Sequence, residues 1–525
     1  MKSLYKHLSS THEFGEELDL TKKPILRSSS IFPVIKNNNF SSRILFLGYW
    51  LIKRNIPEVS LVITLRNKNG KILCRKLKTI NSVQSFSINL DSLLNELKHT
   101  GDFFGSIETE FHTTRDMVFP YPALVLEYFN KFFDTFVHTI GRVYNDIEDL
   151  ADNEEYKVSE TGFDIYANDD LSSFFAFVNG PISNSDGLIE YEITNFESKK
   201  FFGSFNLGKI NPFETKFIEF KDYIPDLFTM LGQKSGAISL KHNFEGFYPR
   251  LLVGNFQTSF PSVSFTHSYY DCTKCISNSD YWNRIDNRYY DSSIYVPLFF
   301  NDNKYTDLII YPNFSPSDFD LQIDLYDKHG KIFYDNTNFI SIKSKDSKLS
   351  KIEFKKLIEK NNLIDVGITS AHIIAHFKDK KIPTRLKFGL NVGMSGYESK
   401  LPCNICFNSK LGNPNIDEKP GSFHWSPIFT NSNSVVTIAN FSPLKEYVQS
   451  ANLIFNFYHK QDSSFITREK NLQPKEEYRI TIDDELKSFL HDDVGWVTIK
   501  SDNPNMEGYY FNFHSSGSVG GDHFF

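Results

Sequence analysis

The chain has 525 residues, 40% of them hydrophobic and 15% aromatic, with 51 Phe and 26 Tyr. A chain this long exceeds a single core, and this much apolar material excludes global disorder. Asp plus Glu (64) outnumber Lys plus Arg (57) for a net charge of −7, and the charges are interspersed, so the phosphate-neutralising stripe of a general nucleic-acid binder is missing.

Residues 1–24 carry acids early and no apolar h-region, and they read as an extended arm rather than a secretory signal. The longest apolar run, Ile44 to Ile52, is nine residues and too short to span a bilayer. The expected location is therefore cytoplasmic, or outside the cell without a conventional signal. Five cysteines are too few for a disulfide scaffold.

From there the chain repeats itself. A glycine precedes an alternating apolar strand at Gly105, Gly236, Gly367 and Gly495, with steps of 236 − 105 = 131, 367 − 236 = 131 and 495 − 367 = 128. Each glycine is preceded by a strand running into a short helix-like turn, in the versions FSINLDSLL, KFIEFKDYI, KIEFKKLI and YRITIDDEL. LVITLRNKNGKILCRK (61–76) and LQIDLYDKHGKIFYDN (321–336) read as β-hairpins, and their turn glycines, Gly70 and Gly330, lie 330 − 70 = 260 apart. Degenerate versions occur at 188–205 and 453–468.

These signals predict an all-β chain of about four tandem antiparallel β-sandwich repeats, Ig-like or jelly-roll-like, each about 130 residues with few short helices. A parallel α/β sheet would need long amphipathic crossover helices, and the sequence offers none. The expected boundaries are an arm at 1–24 and repeats at 25–150, 155–280, 290–410 and 420–525. Linkers are expected at 146–160, 277–292 and 408–422. A string of beads and a packing in pairs are both compatible with this pattern.

Two Cys-x-x-Cys pairs, Cys272/Cys275 and Cys403/Cys406, are offset by 403 − 272 = 131, the repeat period. Four thiolates from two tight turns can hold zinc tetrahedrally if the ends of the second and third repeats meet. The alternatives are buried thiols inherited by duplication and redox chemistry, the latter without its usual βαβ context. Cys74 falls on a predicted strand and is expected in a core.

Repeats one, two and four end with a histidine among aromatics and an acid: His138, His267 and His523. In the second repeat, His242, His267 and Asp271 form the set from which a metal site or a general base could be built, because a neutral imidazole has a lone pair near pH 7. The competing reading is that these rings close the sandwich through hydrogen bonds to backbone. Phosphate-cradling loops, Gly-x-Ser-x-Gly elbows and His-Glu-x-x-His motifs are absent. Tyr269, Tyr270, Trp282 and Trp425 cluster near repeat junctions, where flat rings can stack on sugars or fill a domain interface.

The leading functional reading is a non-catalytic, multi-domain binding or scaffold protein that recognises carbohydrate or a protein partner, with a structural zinc as its expected cofactor. An alternative is a metal-dependent enzyme acting on a sugar-derived substrate in the second repeat. A second alternative is a structural component of a phage or other surface assembly.

Overall fold

The computed structural model describes residues 24–119, 121–138, 160–161, 163–232, 234–244, 251–270, 281–282, 291–312, 317–344, 348–378, 382–383, 386–411, 416, 418–444, 446–491 and 494–525. The chain is all-β and divides into two compact halves, 1–271 and 272–525. Each half contains two antiparallel sandwiches, which we call D1 and D2 in the first and D3 and D4 in the second.

D1 sets the pattern. Its strands are β1 (Arg27–Lys36), β2 (Ser41–Leu47), β3 (Val59–Asn67), β4 (Ile72–Ile80), β5 (Ser85–Asn89), β6 (Phe103–His112), β7 (Val125–Phe129) and β8 (Asp134–His138). They form two sheets, ordered β1-β6-β3-β4 and β5-β2-β7-β8. Alternation places Val59, Leu61, Ile63 and Leu65 of β3 in the core opposite Ile44, Phe46 and Leu126 of the second sheet. The other three domains repeat both sheets with the same strand roles.

The helix-like turns are short helices that follow the fifth strand: Leu90–Glu96 in D1, Phe354–Lys360 in D3 and Asp484–Leu490 in D4. D2 splits this turn into Phe220–Tyr223 and Leu227–Leu231. Asn89 and Asp483 cap two of these helices, their side chains accepting from the N–H of Asp91 at 2.9 Å and Leu486 at 3.0 Å. Two of the period-marking glycines, Gly236 and Gly495, fit against the ends of the helices, whereas Gly105 faces the Arg66 carbonyl and Gly367 opens onto free space at φ +79°. A Cβ at Gly236 would stand 2.5 Å from Leu231 and 3.0 Å from the Thr194 carbonyl, and one at Gly495 would stand 2.9 Å from the Tyr458 carbonyl and press on Leu490. Among the described residues no helix is long and apolar enough to cross a membrane.

Within each half the domains pack as a pair, and the two halves use the same contact. In the first, the hairpin turn at Gly70 (φ +83°) seats its α-carbon against the carbonyl of Pro212 in D2. In the second, Gly330 (φ +75°) does the same to Pro474 of D4, where a Cβ would stand 3.0 Å from the carbonyl oxygen. Ile31 of D1 packs with Val178 and Phe213 of D2. In the second half the D3 core runs on into Ala439, Phe441, Tyr509, Phe511 and Phe513 of D4.

Candidate functional site

The second sheets of paired domains also meet edge to edge, and the predicted histidines and cysteines lie at these seams. In the first half, β8 lies beside Val263–His267, and the N–H of Phe265 donates to Thr135 Oγ1 at 3.1 Å. The buried rings of His138 and His267 stand edge to face there, with centroids 4.4 Å apart. In the second half, Cys403–Asn408 and Val519–His523 take the same places, and Cys403 Sγ donates to the carbonyl of Gly521 at 3.3 Å. Strand register makes Cys406 the counterpart of His138 and His523 the counterpart of His267.

Cys403 and Cys406 do not sit on the tight turn that their spacing suggested. Cys403 and Cys406 lie three residues apart on one strand, paired with Val392 and Gly389, so their side chains leave on opposite faces. Cys403 shares the core face with Ile405 and Phe407. Cys406 lies on the other face beside Asn404, whose Nδ2 donates to Asn391 Oδ1 at 2.5 Å. Cys272 and Cys275 lie outside the described residues. Cys74, expected in a core, is partly exposed on β4, because β4 is the outermost strand of its sheet and covers little.

Among the described residues, His242 and His267 stand on different sheets. His242 lies in the first sheet of D2 and His267 in the second, while Asp271 lies outside the described residues. His242 is buried, its ring stacks on Phe244 at 4.6 Å, and its Nδ1 accepts the Phe244 N–H at 3.2 Å. Burial lowers its pKa to about 4, so the ring is neutral at pH 7. Of the predicted ligand-binding aromatics, Trp425 is buried and stacked on Phe525 at 5.6 Å. Tyr269 and Tyr270 form a short strand beside Glu160–Thr161, and Trp282 pairs with Ile382, but the side chains of all three lie outside the described residues.

The feature that sequence reading missed is the free hairpin edge. Among the described residues, the second strand of the hairpin ends its sheet in every domain: β4 in D1, Lys200–Asn206 in D2, Ile332–Ile342 in D3 and Phe465–Leu472 in D4. Each carries a large apolar side chain in solvent: Leu77 at 73% exposure, Phe202 at 69%, Ile332 at 46% and Phe465 at 52%. Beside Leu77 the edge is basic, with Arg75, Lys76 and Lys78 and no acid in the strand. The two clear hairpins already marked these strands in the sequence; only their position at the end of a sheet was hidden.

No family model and no curated protein matches the chain. Among solved structures, the chain is weakly similar to the BSP domain of a biofilm-associated protein, 9% identical over 97% of this chain and 98% of that one, with a TM-score of 0.16. It is also weakly similar to a tetra-tandem repeat from the extending region of a large adhesion protein, 8% identical over 89% and 90% of the two chains, with a TM-score of 0.11. Likeness at that level assigns nothing, and the functional reading rests on this chain's own residues.

Proposed function

We propose that this chain is a non-catalytic binding scaffold whose paired β-sandwiches present hairpin edge strands to protein partners. The observation that carries the reading is the recurrence of one free edge per domain, at the same place in the sheet, with an apolar side chain standing in water. An unpaired edge offers a row of N–H and C=O groups to an incoming strand, and the flanking side chains set its specificity. Several such edges on one chain turn weak single contacts into avid ones. Carbohydrate recognition has less support, since Trp425 is packed against Phe525. The test compares binding partners of the wild type with those of a Leu77→Asp, Phe202→Asp, Ile332→Asp, Phe465→Asp variant. A partner retained by the wild type and released by the folded variant supports the reading. Equal retention by both, or retention of glycans by both, overturns it.

A second reading follows from the contact of His138 with His267. Two imidazoles at that separation are the start of a site for zinc or a similar divalent ion, held at the D1–D2 seam rather than by the cysteines. Metal content of tag-free protein, compared with that of His138→Ala and Cys403→Ser variants, tests it. Metal lost only in the histidine variant supports the seam, metal lost only in the cysteine variant supports the thiolate staple, and metal in none of the three removes both.

A further inference from the structure

Five polar side chains on one face of D3's larger sheet are joined end to end. His376 contacts a carboxylate oxygen of Asp291 through Nδ1, and its Nε2 lies 2.8 Å from Gln322 Oε1. Gln322 Nε2 donates to the two carboxylate oxygens of Asp324 at 2.8 and 2.9 Å, and Tyr326 Oη donates to Asp324 at 3.2 Å. With Asp291 and Asp324 ionised, these contacts call for one protonation state of His376, even though burial raises the Asp324 pKa. The Asp324 carboxylate can only accept, so the Gln322 amide nitrogen faces it and Oε1 is left for His376. His376 Nε2 must then carry a hydrogen. Asp291 is also an acceptor, so Nδ1 must carry one too, and only the imidazolium has both.

The row leads from solvent into the junction with D4. His376 and Asp291 are partly exposed at its outer end. At its inner end the Tyr326 ring meets Phe441 of D4 edge-on at 5.5 Å, and Lys475 of D4 lies over it at 5.5 Å. D1 has a row in the same register, with Glu108 in the place of His372 and Arg66 in the place of Tyr326. There Arg27 bonds Glu110 at 2.9 Å, Arg66 bonds Glu108 at 2.5 Å, and Arg66 lies over Phe213 of D2 at 4.4 Å. Arginine stays charged at every accessible pH, whereas histidine does not.

We propose that the row Asp291–His376–Gln322–Asp324–Tyr326 is a pH-dependent latch on the D3–D4 junction, closed while His376 holds both ring protons and loosened when it releases one. The charged groups around it agree. Asp291 stands at the start of Ser292–Pro297, Asp320 and Asp324 on Phe319–Asp327, and Asp335 on the hairpin edge. The nearby cations are Lys378, bonded to Asp320 at 3.0 Å, Lys343, bonded to Asp318, and Lys475. The hydrogen bond to Asp291 raises the His376 pKa above the ordinary value of 6.5, against its partial burial. The stability it supplies is therefore complete below that value and is lost as pH rises through the raised one. His372, on the same face and 4.7 Å from Phe441, works the other way: burial first, then Lys475, lowers its pKa to about 3, so its contribution is lost on acidification.

The test uses the full chain. Ring-nitrogen NMR of labelled histidine reports the His376 protonation state, and amide-exchange protection is measured at residues 474–478 at about pH 6 and about pH 8. The equivalent D2 turn, 211–215, is the internal reference. The expected result is a doubly protonated His376 at the lower pH and a severalfold loss of protection at 474–478 on raising it, with 211–215 unchanged. His376→Gln and Asp291→Asn each flatten that response, and the partly exposed Asp291 keeps the test standing if His376→Gln does not fold. A singly protonated His376 at the lower pH, equal losses at both turns, or a response surviving both substitutions overturns the proposal.

Discussion

The backbone N–H of Thr215 donates to the carbonyl of Lys68 at 2.9 Å, tying D2 to the hairpin turn of D1. Glu477 makes the same bond to Lys328 at 3.3 Å in the second half, at offsets of 328 − 68 = 260 and 477 − 215 = 262. The duplicated object is thus a pair of domains with its junction included. That junction depends on glycine at the turn, since Gly70 and Gly330 combine positive φ with a carbonyl at the place of a Cβ. Gly70→Ala and Gly330→Ala should each cost about 1–3 kcal/mol. The cost is measured by urea unfolding, with proteolysis mapping the opened junction. Wild-type stability in both variants would mean that the hairpin turns do not hold the pairs together.

The repeat was legible because its markers are local: alternating strands, a turn glycine, a short helix and a glycine that follows it. What those markers could not show is which strand ends a sheet. Leu77 and Leu65 look alike in an alternating pattern, yet one is 73% exposed and the other fully buried. The local conformation at Cys403 and Cys406 was hidden for a related reason. Their spacing suits a tight turn, but the segment is a strand, where odd spacing separates side chains. Trp425 is covered by Phe525, 100 residues further on. The His376 row was readable in part: His372 and His376 are an even number of residues apart on an alternating strand, hence on one face, but Asp291 and Gln322 join them only through sheet pairing.

His242 gives D2 a definite response to acid. Its folded pKa of about 4 lies below the ordinary 6.5. The neutral ring therefore contributes stability above 6.5 that is lost as pH falls toward 4, at most about 3 kcal/mol. Urea unfolding of wild type and His242→Leu at about pH 7 and about pH 4.5 isolates the effect. The variant should lose less stability over that interval. Equal losses would place the acid sensitivity elsewhere.

The thiols should differ sharply in reactivity. Cys403 and Cys406 are buried in the second seam, whereas Cys74 sits half-exposed on β4 with its thiol pushed up by desolvation. Alkylation of native protein at about pH 8.5, followed by peptide mapping, should modify Cys74 at least about 100-fold faster than Cys403 or Cys406. Denaturation should remove the difference. Rapid native labelling of Cys406 would mean that its face of the strand is open.

Trp425 distinguishes a packing role from a binding one. Its ring lies parallel to that of Phe525 within 18°, and the Phe525 N–H returns to the Trp425 carbonyl at 3.3 Å. Trp425→Ala removes a buried ring and leaves a cavity at the chain's C-terminal strand, with an expected cost of about 3–5 kcal/mol. Trp425→Phe, which retains most of the stacking, should recover more than half of that loss. Thermal unfolding reads both variants. Binding of glycans that weakens in Trp425→Phe while stability holds would show that the ring reaches a ligand and would favour carbohydrate over protein as the partner. Loss of stability without loss of any binding leaves the hairpin edges as the proposed binding surface.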